Sequence, residues 1–201
     1  FWLIHRPGKP LTGISACGQA AGLATVDWYR ERGHVAAIPT RNGEAALTVP
    51  GTIGGWDMAL SMVDDAKRFS VSELVSAAVA KARDGIAVTG NQSICTSDKL
   101  HELSGVAGFA ETYLIDGKIP PAGARLRQSR LADTLEELGR NGLRSYYDGD
   151  LAQTHAAFLQ RNGSPLRVED FRHYAPRKVS LLRVTNIQST PHHTLSPTQV
   201  F

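Results

Sequence analysis

Two short runs rich in apolar and β-favouring residues open the chain, Phe1-Trp2-Leu3-Ile4-His5-Arg6 and Leu11-Thr12-Gly13-Ile14-Ser15-Ala16-Cys17, and Pro7-Gly8-Lys9-Pro10 separates them. Such runs about a Pro/Gly turn predict a β-hairpin, with Phe1–His5 as a core strand and Gly18 as its end. Thr25 stands at an N-cap position and Gly33 at a stop, which predicts a short helix over 26–32. The polar turn Thr40-Arg41-Asn42-Gly43 precedes the apolar run 45–49. Pro50-Gly51-Thr52-Ile53-Gly54-Gly55-Trp56 then opens a helix reaching near Met62, because a proline at a helix start forfeits no hydrogen bond. The small residues between Gly51 and Gly55 allow close approach of a neighbour.

Ser70 and Glu73 have the spacing of a capping box. Val71, Leu74, Val75, Ala78, Val79 and Ala82 fall on one helical face, and Gly85 is the expected stop. Between 90 and 125 the pattern is less regular; it predicts a helix over 96–103 and a surface loop over 116–123. Leu131 to Leu138 reads as an amphipathic helix. Tyr146-Tyr147-Asp148-Gly149 turns the chain into a further helix over 150–159. A one- or two-turn helix is expected over 168–174, a strand over 178–184, and a strand edge in the tail from Pro191. No repeat, low-complexity segment or linker interrupts this order.

The 201 residues are 42% hydrophobic and 20% charged, as in ordinary globular chains rather than disordered ones. The net charge of +3 is spread along the sequence, a weak basis for nucleic acid or membrane partners. No stretch approaches the roughly 18 apolar residues of a membrane span. The first residue is Phe rather than Met, within the first strand, so the chain is expected to begin inside a longer precursor.

Cys17 and Cys95 are expected to be reduced, buried, small apolar residues. No metal or other cofactor is expected, because no His has a zinc-like spacing to Cys or carboxylate. His192 and His193 would point to opposite faces of a strand. Gly51-Thr52-Ile53-Gly54-Gly55 lacks the Lys-Ser/Thr end of a phosphate loop, so it reads as a structural helix start. There is no Gly-x-Ser-x-Gly elbow, and nothing singles out a partner for Cys17 as a nucleophile. Taken residue by residue, the chain has no self-contained catalytic constellation. A helical interaction domain without chemistry is one reading of that.

The other reading comes from the motifs. Val49-Pro50-Gly51-Thr52-Ile53-Gly54-Gly55-Trp56 resembles the Val-Pro-Gly segment in the larger (α) subunit of the γ-glutamyltranspeptidase family. Gly123-x-x-Leu126-x-Gln128-x-x-Leu131-Ala132-x-Thr134-Leu135 is similar to another stretch of that family. So are Tyr146-Tyr147-x-Gly149-x-Leu151-Ala152, Leu166-x-x-Glu169-Asp170-Phe171 and Ser196-Pro197-Thr198-Gln199, and all stand in the family's order.

The resemblance implies an α+β fold, part of the four-layer α-β-β-α sandwich of N-terminal-nucleophile hydrolases, helix-rich in this segment. It makes residues 1–201 a partial α subunit. It implies γ-glutamyltransferase or glutathione hydrolase chemistry on γ-glutamyl amides, with an amide acylase of the same superfamily as the alternative. The nucleophile would be the N-terminal Thr of a smaller catalytic β subunit cut from the same precursor, in a Thr-Thr-His type motif absent here, its α-amine serving as base. His192-His193-Thr194 is only faintly similar and stands before the Pro-Thr-Gln landmark.

One position departs from the pattern. The transpeptidases carry an Arg, in a Gly-Arg-Glu-Thr-Ala-Pro segment, that pairs with the glutamyl α-carboxylate; acylase-like members have Gly-Arg-Ala-Pro. The corresponding run is Cys17-Gly18-Gln19-Ala20-Ala21, with Gln19 where the Arg would stand and Ala21 where the Pro would. Gln19 is therefore the expected substrate-binding residue, offering a neutral amide in place of a bidentate cation. No catalytic residue is expected within the chain.

Overall fold

A computed structural model describes residues 1–64 and 68–182. In chain order its elements are β1 (Trp2–Ile4), β2 (Thr12–Ser15), α1 (Val26–Arg30), α2 (Thr52–Leu60), α3 (Val71–Asp84), β3 (Ile86–Ala87) and α4 (Gly90–Leu103). There follow α5 (Phe109–Tyr113), β4 (Arg125–Leu126), α6 (Ser129–Asn141), α7 (Ser145–Asp148), α8 (Asp150–Arg161), α9 (Val168–His173) and β5 (Arg177–Val179). The architecture is α+β, with helices predominating.

The expected hairpin forms. β1 runs antiparallel to β2 with Trp2 opposite Ile14 and Ile4 opposite Thr12, and β5 adds on the other side with Ile14 opposite Lys178. The order β1-β2-β5 makes β2 the central strand, and Ile14 is fully buried. The expectation that Phe1–His5 is a core strand is corrected: β1 is an edge, and among the described residues nothing covers Phe1 or Leu3, which are 86% and 49% exposed. Beside it lies an open groove of about 540 Å³ lined by Trp2, Ile4, Trp56, Leu60, Val71 and Leu74, among others.

Local signals hold where they are strongest. The Thr25 hydroxyl accepts from the Trp28 amide and starts α1. At α3, Ser70 accepts from the Glu73 amide and Glu73 accepts from the Ser70 amide, while Gly85, at a φ of 88°, ends the helix. Val75 and Ala82 of α3 are buried against Ala132, Leu135 and Leu138 of α6. Leu74 and Ala78 of the same predicted face line the open groove, whose wall Val75 and Leu135 also reach. Arg83 bridges the two helices, reaching Asp133 at 2.7 Å and Glu136 at 2.8 Å.

Other boundaries shift. α4 begins at Gly90 rather than Thr96, because Thr89 accepts from the Gln92 amide and caps a first turn of weak helix formers. α5 is not among the elements the sequence predicts. In the predicted loop 116–123, Asp116 and Gly117 turn at positive φ, but Pro120 is buried. The predicted strand over 178–184 is Arg177–Val179 within the described residues. The tail from Pro191, with His192-His193-Thr194 and Ser196-Pro197-Thr198-Gln199, lies outside them.

The principal core gathers Val49, Tyr147, Ala152, Ala156, Leu166, Phe171 and Tyr174. It is built from α7, α8 and α9 closing over the start of α2, and it carries the segment bearing Gln19.

Candidate functional site

Gln19 sits in an extended segment, 16–22, that leaves the end of β2 and runs antiparallel to Leu47–Val49. The Val49 amide donates to the Gln19 carbonyl at 3.0 Å and the Ala21 amide to the Leu47 carbonyl at 2.8 Å, flanking the Ala20–Thr48 bridge. Gly18 is required for this approach: a Cβ there would lie 1.6 Å from the Val49 carbonyl oxygen. Gln19 is solvent-exposed, so its amide is available to a ligand. The backbone is fixed and the side chain presented, as a binding residue requires.

The segment is held by α9 and by Tyr174, the residue that ends it. The Gly22 amide donates to Asp170 Oδ1 at 2.8 Å, while Asp170 Oδ2 accepts from the Arg167 amide at 2.7 Å. The Tyr174 hydroxyl lies 3.1 Å from both the Ala16 and the Gly51 carbonyl oxygens. Its single proton is shared between the end of β2 and the start of α2.

The Val-Pro-Gly run is anchored by a second tyrosine. Tyr147 donates to the Pro50 carbonyl and accepts from the Gly54 amide, each at 2.8 Å. That amide is one of the donors a helix start leaves unpaired. Gly51 must be small, since a Cβ there would meet the Ala16 carbonyl oxygen at 1.8 Å. The Tyr147 and Tyr174 rings pack at 4.9 Å between centroids, and Arg144 donates to the Tyr174 carbonyl at 3.0 Å. Burial pushes the hydroxyl pKa of both tyrosines upward, the more strongly at Tyr147; the neighbouring Cys17 adds to the rise at Tyr174. Both remain protonated donors at neutral pH.

Pro50-Gly51-Thr52 is thus a structural helix start, tied to the segment that carries Gln19. Cys17 and Cys95 are free thiols, but both are exposed, which corrects the expectation of burial. Cys17 lies beyond the paired part of β2 and Cys95 on an outer face of α4. Among the described residues no group of three or more His, Cys, Asp or Glu could hold a metal ion, and no helix is long and apolar enough to cross a membrane. Asp170 and Tyr147 lie inside motifs quoted from the sequence, yet their bonding was not legible there. Tyr174 follows the Leu166–Phe171 motif by three residues and was not singled out.

Comparison with known proteins identifies the family. The family model described as Gamma-glutamyltranspeptidase matches residues 1–199. The chain is 39% identical over 99% of its length to an oxamate amidohydrolase proenzyme of Klebsiella pneumoniae, covering 38% of that protein. It is 32% identical over 86% of its length to a glutathione hydrolase-like proenzyme, YwrD, of Bacillus subtilis, covering 32% of it. It therefore spans about a third of these curated relatives. Among solved structures, the cephalosporin acylase of Bacillus halodurans matches with a TM-score of 0.80 at 24% identity, over 90% of this chain and 34% of that one. The γ-glutamyltranspeptidase of Pseudomonas nitroreducens matches with a TM-score of 0.80 at 24% identity, over 98% of this chain and 57% of that one. These likenesses establish the fold, and the match along nearly the whole sequence establishes the kinship: the chain belongs to the γ-glutamyltranspeptidase family.

Proposed function

We propose that the chain is the α-subunit portion of an N-terminal-nucleophile enzyme that cleaves γ-glutamyl amides by acyl transfer. The attacking hydroxyl is that of a Thr outside this chain, at the N-terminus of a smaller catalytic subunit cut from the same precursor. Its α-amine takes the hydroxyl proton as the hydroxyl oxygen attacks the amide carbonyl carbon, and returns that proton to the amide nitrogen as the C–N bond breaks and the amine leaves. Water or an amino acid then accepts the acyl group. This chain supplies the wall that binds the acyl group, with Gln19 facing it. The observation carrying the reading is the rigid presentation of exposed Gln19 on a segment clamped to the Val-Pro-Gly helix start. The open groove beside β1 supports a role alongside further polypeptide.

A second reading has its own support. Gln19 is neutral where the family's transpeptidases carry an Arg for the glutamyl α-carboxylate. Losing a desolvated charge partner costs about 2–5 kcal/mol of binding. The 39% identical relative is named for oxamate, an amide without a glutamyl group. On this reading the enzyme is an acylase-type amidohydrolase for amides lacking that carboxylate. Steady-state kinetics of the complete, processed proenzyme on γ-glutamyl-p-nitroanilide and on oxamate decide between them. A higher kcat/KM for the γ-glutamyl donor supports the first reading, and the reverse supports the second. Turnover of neither removes both.

A further inference from the structure

We propose that α9 and its C-terminal cap act as a two-point clamp setting the position of Gln19, with Asp170 in the helix and Tyr174 at the cap as positioning residues for acyl-group binding. The inference rests on the reading that Gln19 faces the acyl group. Asp170 lies within α9, and Tyr174 is the residue that ends it, in extended backbone just past His173. Each grips one end of the Gln19 segment: Tyr174 donates to the Ala16 carbonyl at 3.1 Å, and Asp170 accepts from the Gly22 amide at 2.8 Å. Between those anchors, Gln19 and Ala21 are held by the backbone of Leu47–Val49.

The clamp also couples the segment to α2, since the same Tyr174 hydroxyl reaches the Gly51 carbonyl at 3.1 Å. Tyr174 is itself immobilised. It is 1% exposed, packed on Tyr147, and its carbonyl accepts from Arg144. A side chain presented at a site is useful for recognition only when its backbone is fixed to within a fraction of an ångström. Tyr174 is buried, and both Asp170 carboxylate oxygens are taken up by the Gly22 and Arg167 amides, so on this proposal their effect on a ligand passes through Gln19.

The test is a double-mutant cycle in the complete, processed proenzyme, read on KM for the acyl donor that the wild-type enzyme turns over. Tyr174→Phe keeps the ring and removes the hydroxyl. It should raise KM about tenfold with a much smaller change in kcat, the pattern of lost uniform binding. In a Gln19→Ala background the same substitution should add little. Equal increments in both backgrounds overturn the clamp and leave Tyr174 a structural residue. If Gln19→Ala alone leaves KM unchanged, the reading of Gln19 falls, and the clamp's part in binding falls with it.

A measurement independent of activity separates the two failures. Exposed Cys17 adjoins the Ala16 anchor, and exposed Cys95 serves as an internal reference. Tyr174→Phe should speed labelling of Cys17 by a disulfide reagent several-fold relative to Cys95, and an unchanged ratio overturns the clamp whatever the kinetics. Should Tyr174→Phe fail to fold, Asp170→Ala, which removes the acceptor of the Gly22 amide, reads the same cycle and the same labelling ratio from the opposite anchor.

Discussion

Tyr147 and Gly54 stand 93 residues apart in the chain, and the amide of one donates to the hydroxyl of the other at 2.8 Å. Because the same hydroxyl donates to the Pro50 carbonyl, one side chain pairs both groups at the opening of α2. Tyr147→Phe leaves a donor and an acceptor unsatisfied in a buried place. The expected loss is about 1–3 kcal/mol of stability. Thermal or urea unfolding of the variant beside the wild type measures it, and an unchanged midpoint contradicts it.

Gly18 predicts a larger effect. A methyl group there would sit 1.6 Å from the Val49 carbonyl oxygen, so Gly18→Ala must separate the Gln19 segment from Leu47–Val49. The cost is expected at about 3 kcal/mol, the upper range for forced overpacking. Glycine at 90, where an added Cβ meets nothing within 4 Å, is the contrasting position. Gly90→Ala should change stability by less than about 1 kcal/mol, toward greater stability, as helix propensity favours Ala. Equal effects at the two positions would contradict the packing argument.

His155 gives a pH dependence. Among the described residues its Nδ1 is buried without a hydrogen-bond partner, its ring lies 5.2 Å from that of Tyr146, and burial lowers its pKa below the ordinary 6.5. The unfolded chain therefore takes up the proton first as pH falls. Stability drops from pH 6.5 downward until the folded-state value is passed, and is unaffected by this group above that window. His155→Leu should flatten the dependence of the unfolding free energy between neutral pH and mild acid. A slope identical to the wild type would count against His155.

The substrate-side prediction concerns charge. If Gln19 faces the acyl group, Gln19→Arg in the complete proenzyme restores a cation for the glutamyl α-carboxylate. The KM for γ-glutamyl-p-nitroanilide should fall by about tenfold or more, as expected for a charge pair shielded from water. An unchanged KM in a folded variant argues against contact at that position.

What the sequence disclosed follows from the range of the interactions. α3 was legible because Ser70, Glu73 and Gly85 act within a few residues of one another. The start of α4 is not legible because Gly90-Asn91-Gln92-Ser93 offers little apolar periodicity; only Thr89 marks it. The edge position of β1 and the exposure of both cysteines depend on what other elements cover, which periodicity does not report. At the site, the motif resemblance points to Gln19. It does not point to the support of Gln19: the Tyr174 hydroxyl meets Ala16 across 158 residues, and no local pattern announces such a bond.

The central claim is that this chain holds the acyl-binding half of an amide-cleaving site and relies on a hydroxyl it does not contain. Release of p-nitroaniline from γ-glutamyl-p-nitroanilide tests it most directly, with oxamate hydrolysis assayed in parallel, for the purified chain and for the complete, processed proenzyme. The account predicts turnover of at least one donor by the proenzyme and none by the isolated chain. Sustained turnover by residues 1–201 alone would contradict it.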